Sequence, residues 1–158
     1  MSEWVVALHV LIAFWFVTGI VGRDVTLAKA RGTDDPRLVG ELAELAGRFE
    51  RMSVRPGSFA VLILGLLAAW AAHRPFTGTN NWWLLVSLIL YLSNVSLIPL
   101  VFVPRGRVFE RELAAARGGR TVTPGLSAAL RDGAVQAART YELVTLVAII
   151  LLMVAKPF

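Results

Sequence analysis

WVVALHVLIAFWFVTGIVG, Trp4 to Gly22, is an unbroken apolar run, and His9 is the one titratable side chain inside it. A helix needs about 20 apolar residues to cross the roughly 30 Å hydrocarbon core of a bilayer, so the run reads as a transmembrane span. Glu3 stands where a signal peptide would carry basic residues, and no small-x-small cleavage site follows Gly22; the reading is therefore a span kept in the mature protein. An imidazole in hydrocarbon is expensive, which makes His9 by default a functional-site candidate in need of a partner.

Working outward, three more runs have the same character. PGSFAVLILGLLAAWAA begins at Pro56, a third run opens at Trp82, and a fourth ends at Ala155. The uncharged part of the last, Leu143 to Ala155, is too short to span at 1.5 Å per residue, so the helix must begin further back, near Ala137. The spans expected are about 4–22, 56–73, 82–104 and 137–155. With 56% hydrophobic and 17% charged residues in a chain of 158, four spans fill the sequence and leave modest loops. The expected fold is all-α: a polytopic membrane protein forming one transmembrane domain, a four-helix bundle in the lipid bilayer. Cysteine is absent, which excludes disulfides and thiolate metal sites. No nucleotide loop, serine elbow, HExxH or paired-carboxylate motif is present, so conventional hydrolytic chemistry is not expected, while other enzymatic activity stays open.

The formal net charge is +5, yet the basic residues form no free-standing tail, and no nucleic-acid partner is expected. They sort by loop instead. Arg23, Lys29, Arg31, Arg37, Arg48, Arg51 and Arg55 lie between spans one and two, and Arg105, Arg107, Arg111, Arg117 and Arg120 between spans three and four. The opposite side has Arg74 and Lys156. This asymmetry places both long loops in the cytoplasm and both termini outside, as for a multi-pass protein of the inner cell membrane. Trp4, Trp82, Trp83 and Phe158 then fall at the outer interface.

The first loop holds a cytoplasmic amphipathic helix, about 36–52. Asp35-Pro36 gives an N-cap with proline in the first turn, and Leu38, Leu42, Leu45, Phe49 and Met52 recur at helical steps. Glu44 stands four residues before Arg48 on its mixed polar face, so the helix either caps the bundle or lies in the interface. Arg105 to Arg117 reads as an extension of span three, Gly118-Gly119 as a turn, and Thr123-Pro124 as the cap of a helix leading into span four.

Depth places the polar groups. His9 lies five residues inside Trp4 and Ser87 five inside Trp82, each roughly 7–8 Å below the outer interface, so the two can face each other. Ser87, Tyr91 and Asn94 form a polar stripe that should turn away from lipid. Such a stripe either lines a cofactor or substrate pocket or makes ordinary interhelical hydrogen bonds. For His9 three readings are open: a neutral imidazole donating to a backbone carbonyl or to Tyr91, a ligand of haem iron, and a proton relay. His73 sits at the outer end of span two, where a solvated role fits. At the cytoplasmic edge Arg23, Asp24, Arg105, Arg107, Arg139 and Glu142 share one level, as a salt-bridge ring or an anion site; Glu142 must pair or take up a proton. Gly57, Gly65, Ala69 and the Ala68/Ala72 pair give span two small-xxx-small packing surfaces.

Four fragments carry a family resemblance: Ala7-Leu8-His9 with Trp15 and Gly19, the PG-x7-GL of Pro56 to Leu66, the tryptophan opening span three, and Glu142 leading to a terminal Lys156-Pro157-Phe158. In this order they resemble HemJ-type protoporphyrinogen oxidases, CopD-like proteins and a bacterial family of four-helix integral membrane proteins with no assigned function. The resemblance implies a four-helix bundle in which the His9 position binds haem b and porphyrin chemistry occurs in the membrane. HemJ-type proteins have a lysine where this chain has Ser87, and Asn-Glu-x-Pro where it has Tyr141-Glu142-Leu143-Val144. The first functional expectation is thus a protein holding haem b or a similar redox ligand through His9, with Tyr91 and Asn94 in contact. The second is an accessory or assembly subunit docking a larger membrane complex through the small-residue face of span two; the third is a small transporter, which would need a homo-oligomer to form a pore.

Overall fold

The computed structural model describes residues 2–73, 81–116, 119 and 121–156, and every regular element among them is helical. Arg74, Arg117, Gly118, Arg120, Pro157 and Phe158, to which the sequence reading gave roles, lie outside the described residues. Four helical runs are long and apolar enough to cross a membrane: Glu3–Ala30, Pro36–Ala71, Trp82–Ala116 and Pro124–Ala155. Each leaves large apolar side chains exposed, among them Phe14, Phe59, Trp70, Leu100 and Val154. Outward apolar surface on this scale is what lipid tails cover. The chain forms two compact units, Met1–Arg74 and Pro75–Phe158.

The first unit is a helical hairpin. Helix α1 (Ser2–Ala30) is about 44 Å long at 1.5 Å per residue, so it runs on past Gly22 beyond the bilayer core. Asp35 accepts a hydrogen bond from the Arg37 amide at 2.9 Å and opens α2 (Pro36–Phe49), with the proline where a missing N–H costs nothing. The cap is the one the sequence gives. Its apolar face is met in part: Phe49 packs at Gly22, Leu38 and Leu42 are half-buried and Leu45 and Met52 are exposed, whereas Val39, Ala46 and Ser53 are buried. Small residues at sevens let the helix approach α1 closely, and the leucines flank that seam.

After α2 the chain does not break. A π-helical segment, Glu50–Val54, leads into α3 (Arg55–Ala71), so the amphipathic helix and span two form one run. Pro56 has no N–H for the Met52 carbonyl and its ring would clash there; widening the preceding turn relieves both problems. The run lies antiparallel to α1 with glycines in the seam. A Cβ added at Gly22 would meet the Phe49 ring, at Gly19 the Ser53 side chain, at Gly57 Phe16, and at Gly65 His9. Both Gly57 and Gly65 therefore seat α1, while Ala68 is half-buried and Ala72 exposed.

The second unit begins with α4 (Trp82–Leu97), a π-helical segment at Ile98–Phe102 that contains Pro99, and α5 (Val103–Ala116). Then follow a short α6 (Pro124–Leu130), capped by the Thr123 hydroxyl on the Leu126 amide at 3.2 Å, and α7 (Gly133–Ala155). The helix from Thr123 does not lead unbroken into span four, because Asp132 starts a new one, accepting from the Ala134 and Val135 amides. Helix α7 packs antiparallel to α4, and Leu113, Ala116 and Leu126 form a small core where α5 meets α6.

Candidate functional site

His9 points from α1 at α3. Its Cε1 lies 3.1 Å from where a Gly65 Cβ would stand, so the missing side chain makes the notch that holds the imidazole. The Val61 carbonyl, one turn earlier on α3, approaches the ring. Nδ1 is nevertheless buried without a hydrogen-bond partner among the described residues. A buried polar nitrogen left unsatisfied is rare and calls for a specific explanation.

Ser87, Tyr91 and Asn94 belong to α4 in the second unit. The Asn94 amide donates to Thr145 Oγ1 on α7 at 2.6 Å and to the Leu90 carbonyl at 3.3 Å, while its Oδ1 has no partner among the described residues. Beside it the Ser93 and Tyr141 hydroxyls share a hydrogen bond of 2.8 Å. The stripe is thus partly engaged in joining α4 to α7. Ser87 is buried and its hydroxyl has no partner among the described residues. Thr145 was not foreseen, because its position on α7 has meaning only once the register of the two helices is known.

The charged residues expected to share one level pair more locally than that level implies. Arg23, almost fully buried, donates to Asp24 and to Glu50, each at 3.1 Å, and Glu50 also accepts from Arg55 at 3.5 Å. Glu50 comes from the π-helical segment, and the sequence reading did not include it. Arg105 is hydrogen-bonded to Asp132. The Arg139 guanidinium stands 5.9 Å above the Phe102 ring centroid, within cation–π range. Arg107 is exposed on α5 and Glu142 half-buried on α7. Outside the spans, the Arg48 hydrogen bond holds the Glu44 carboxyl below its ordinary value. For Asp132 burial pushes upward, but the Arg105 hydrogen bond and the Val135 and Ala134 amides outweigh it, and its pKa is lowered.

Among the described residues no group of three His, Asp or Glu side chains could hold a metal ion. A single imidazole as one axial ligand of a prosthetic group needs no such cluster.

Four membrane-length apolar helices among the described residues define an all-helical integral membrane protein. The chain belongs to the family described as predicted integral membrane protein (DUF2269), whose family model matches residues 3–157. No curated protein and no solved structure matches it.

Proposed function

We propose that this protein holds a redox ligand of the haem b type in the membrane, with His9 as the ligating side chain. The observation that supports this reading is the His9 Nδ1 atom, buried and without a hydrogen-bond partner among the described residues, on a ring seated in the Gly65 notch. A bare imidazole in hydrocarbon is costly, and a ligand that uses it offsets that cost. Haem b would supply one-electron chemistry; the chain's own part is to fix the imidazole between α1 and α3 and to exclude water from it. The resemblance of Ala7-Leu8-His9 and the PG-x7-GL segment to HemJ/CopD-like proteins points the same way. In this reading the long basic loops face the cytoplasm and both termini lie outside.

The test is an absorption spectrum of protein purified from haem-replete membranes. A Soret band in the wild type that is lost in His9→Ala is the expected result. A wild type without the band overturns the proposal, as does a band unchanged by the substitution.

A further inference from the structure

Hydroxyl groups in these helices have a habit, and Ser87 departs from it. Thr18, Thr26, Ser93, Ser96, Thr140 and Thr145 each donate to a backbone carbonyl three or four residues earlier on their own helix. This is the ordinary way a hydroxyl satisfies itself in an apolar medium. Ser87 has carbonyls at the same offsets, yet its Oγ is buried with no hydrogen-bond partner among the described residues, and the residue is only 3% exposed. One turn before it Trp83 is 5% exposed, and its indole Nε1 is likewise buried without a partner among the described residues. Residues four apart share a helix face, so two donors without partners among the described residues lie on one face near the start of α4.

We propose that Trp83 and Ser87 form a binding site for the carbonyl oxygen of a neutral, membrane-soluble molecule. The chemistry follows from the donor set. An indole N–H can only donate and a hydroxyl can donate, so one oxygen with two lone pairs satisfies both. Neutrality follows from the setting: α4 carries no charged residue along its length, and an ion brought to this apolar helix would be heavily penalised. The nearby cation, Lys156, lies over the face of the Trp83 ring at 5.9 Å from its centroid, where the π system meets its charge, away from the N–H edge. A quinone carbonyl and a lipid ester carbonyl share this chemistry. The site uses neither His9 nor any group of the first unit, and it stands independently of haem binding.

The experiment measures the thermal midpoint of the full-length protein in nanodiscs of ether lipid and of ester lipid, each with and without a short-chain benzoquinone. If a quinone is the occupant, it raises the wild-type midpoint in both lipids, with affinity about tenfold lower in Ser87→Ala and in Trp83→Phe, the equivalent of one hydrogen bond each. If the lipid is the occupant, ester lipid raises the midpoint over ether lipid, and the difference vanishes in both variants. In ether lipid without quinone, Ser87→Ala is expected to raise the midpoint by about 2–4 °C, because an unsatisfied buried hydroxyl has been removed. A midpoint lowered by Ser87→Ala under those conditions shows that the hydroxyl has a partner within the protein, and overturns the proposal. Stabilisation by neither carbonyl source, or stabilisation that survives both substitutions, overturns it equally.

Discussion

At Gly19 an added Cβ would overlap Ser53 Oγ and stand 2.6 Å from its Cβ, a clash that forces the helices apart. The Ser53 hydroxyl also donates to the Trp15 carbonyl at 2.7 Å, tying the π-helical segment to α1. Gly19→Ala should therefore destabilise the protein by about 1–3 kcal/mol through overpacking and the loss of that bond. Gly40 on α2 has nothing within 4 Å of its added Cβ. There alanine should be neutral or stabilising by up to about 1 kcal/mol, from helix propensity alone. Reversible unfolding in mixed micelles measures both, and equal effects at the two positions would refute the close-packed seam. His9 was legible at this scale as the one titratable group in its run, but its notch was not. That Gly65 seats the imidazole depends on the register of α1 against α3, which no single stretch of sequence encodes.

Between elements, the hydrogen bond from Asn94 to Thr145 joins α4 to α7 at 2.6 Å. Interhelical hydrogen bonds in membranes contribute about 0.6 kcal/mol on average and up to about 1.7, so Asn94→Leu should cost an amount in that range. Combining it with Thr145→Val in a double-mutant cycle should give less than the sum of the single losses. Purely additive losses would mean that the two side chains do not act together. At the other end of α7, Asp132 caps the helix and is hydrogen-bonded to Arg105. Its folded-state pKa is lowered, so the stabilisation is complete above the unfolded-state pKa, near 3.9, and fades as pH falls through the lower, folded-state value. Between neutral pH and the ordinary carboxylate range, stability should be flat in this respect and should drop only in more acidic solution. Asp132→Asn, which keeps a capping oxygen without the charge, should remove that acid limb; an unchanged pH profile would show that Asp132 contributes nothing to it. The caps at Asp35 and Thr123 could be read from sequence because a proline follows each. The break at Asp132 was hidden because the apolar run of span four starts later, and the π-helical segments were hidden because Pro56 and Pro99 usually end or kink a helix, whereas here a widened turn carries the helix through.

For the molecule as a whole, the four spans were legible because apolar run length against bilayer thickness is a one-dimensional measure. The extra length of α1 and the merging of the amphipathic helix with span two were not, since both come from the polar and small residues that pack Arg23–Ala30 against α2 outside the apolar run. Which side those extensions face rests on the distribution of arginine and lysine, and it can be tested directly because the chain has no cysteine. Single cysteines placed at Glu41 on α2 and Glu110 on α5, both exposed, report the long basic loops, and one at exposed Glu3 reports the opposite side. With the basic loops cytoplasmic, a membrane-impermeant maleimide added to intact cells should label Glu3→Cys, whereas Glu41→Cys and Glu110→Cys should react only after permeabilisation. The opposite pattern would invert the proposed orientation. Labelling of Glu41→Cys and Glu110→Cys from different sides would be more damaging, because four spans put both loops on one face, and only a lost or additional crossing could separate them.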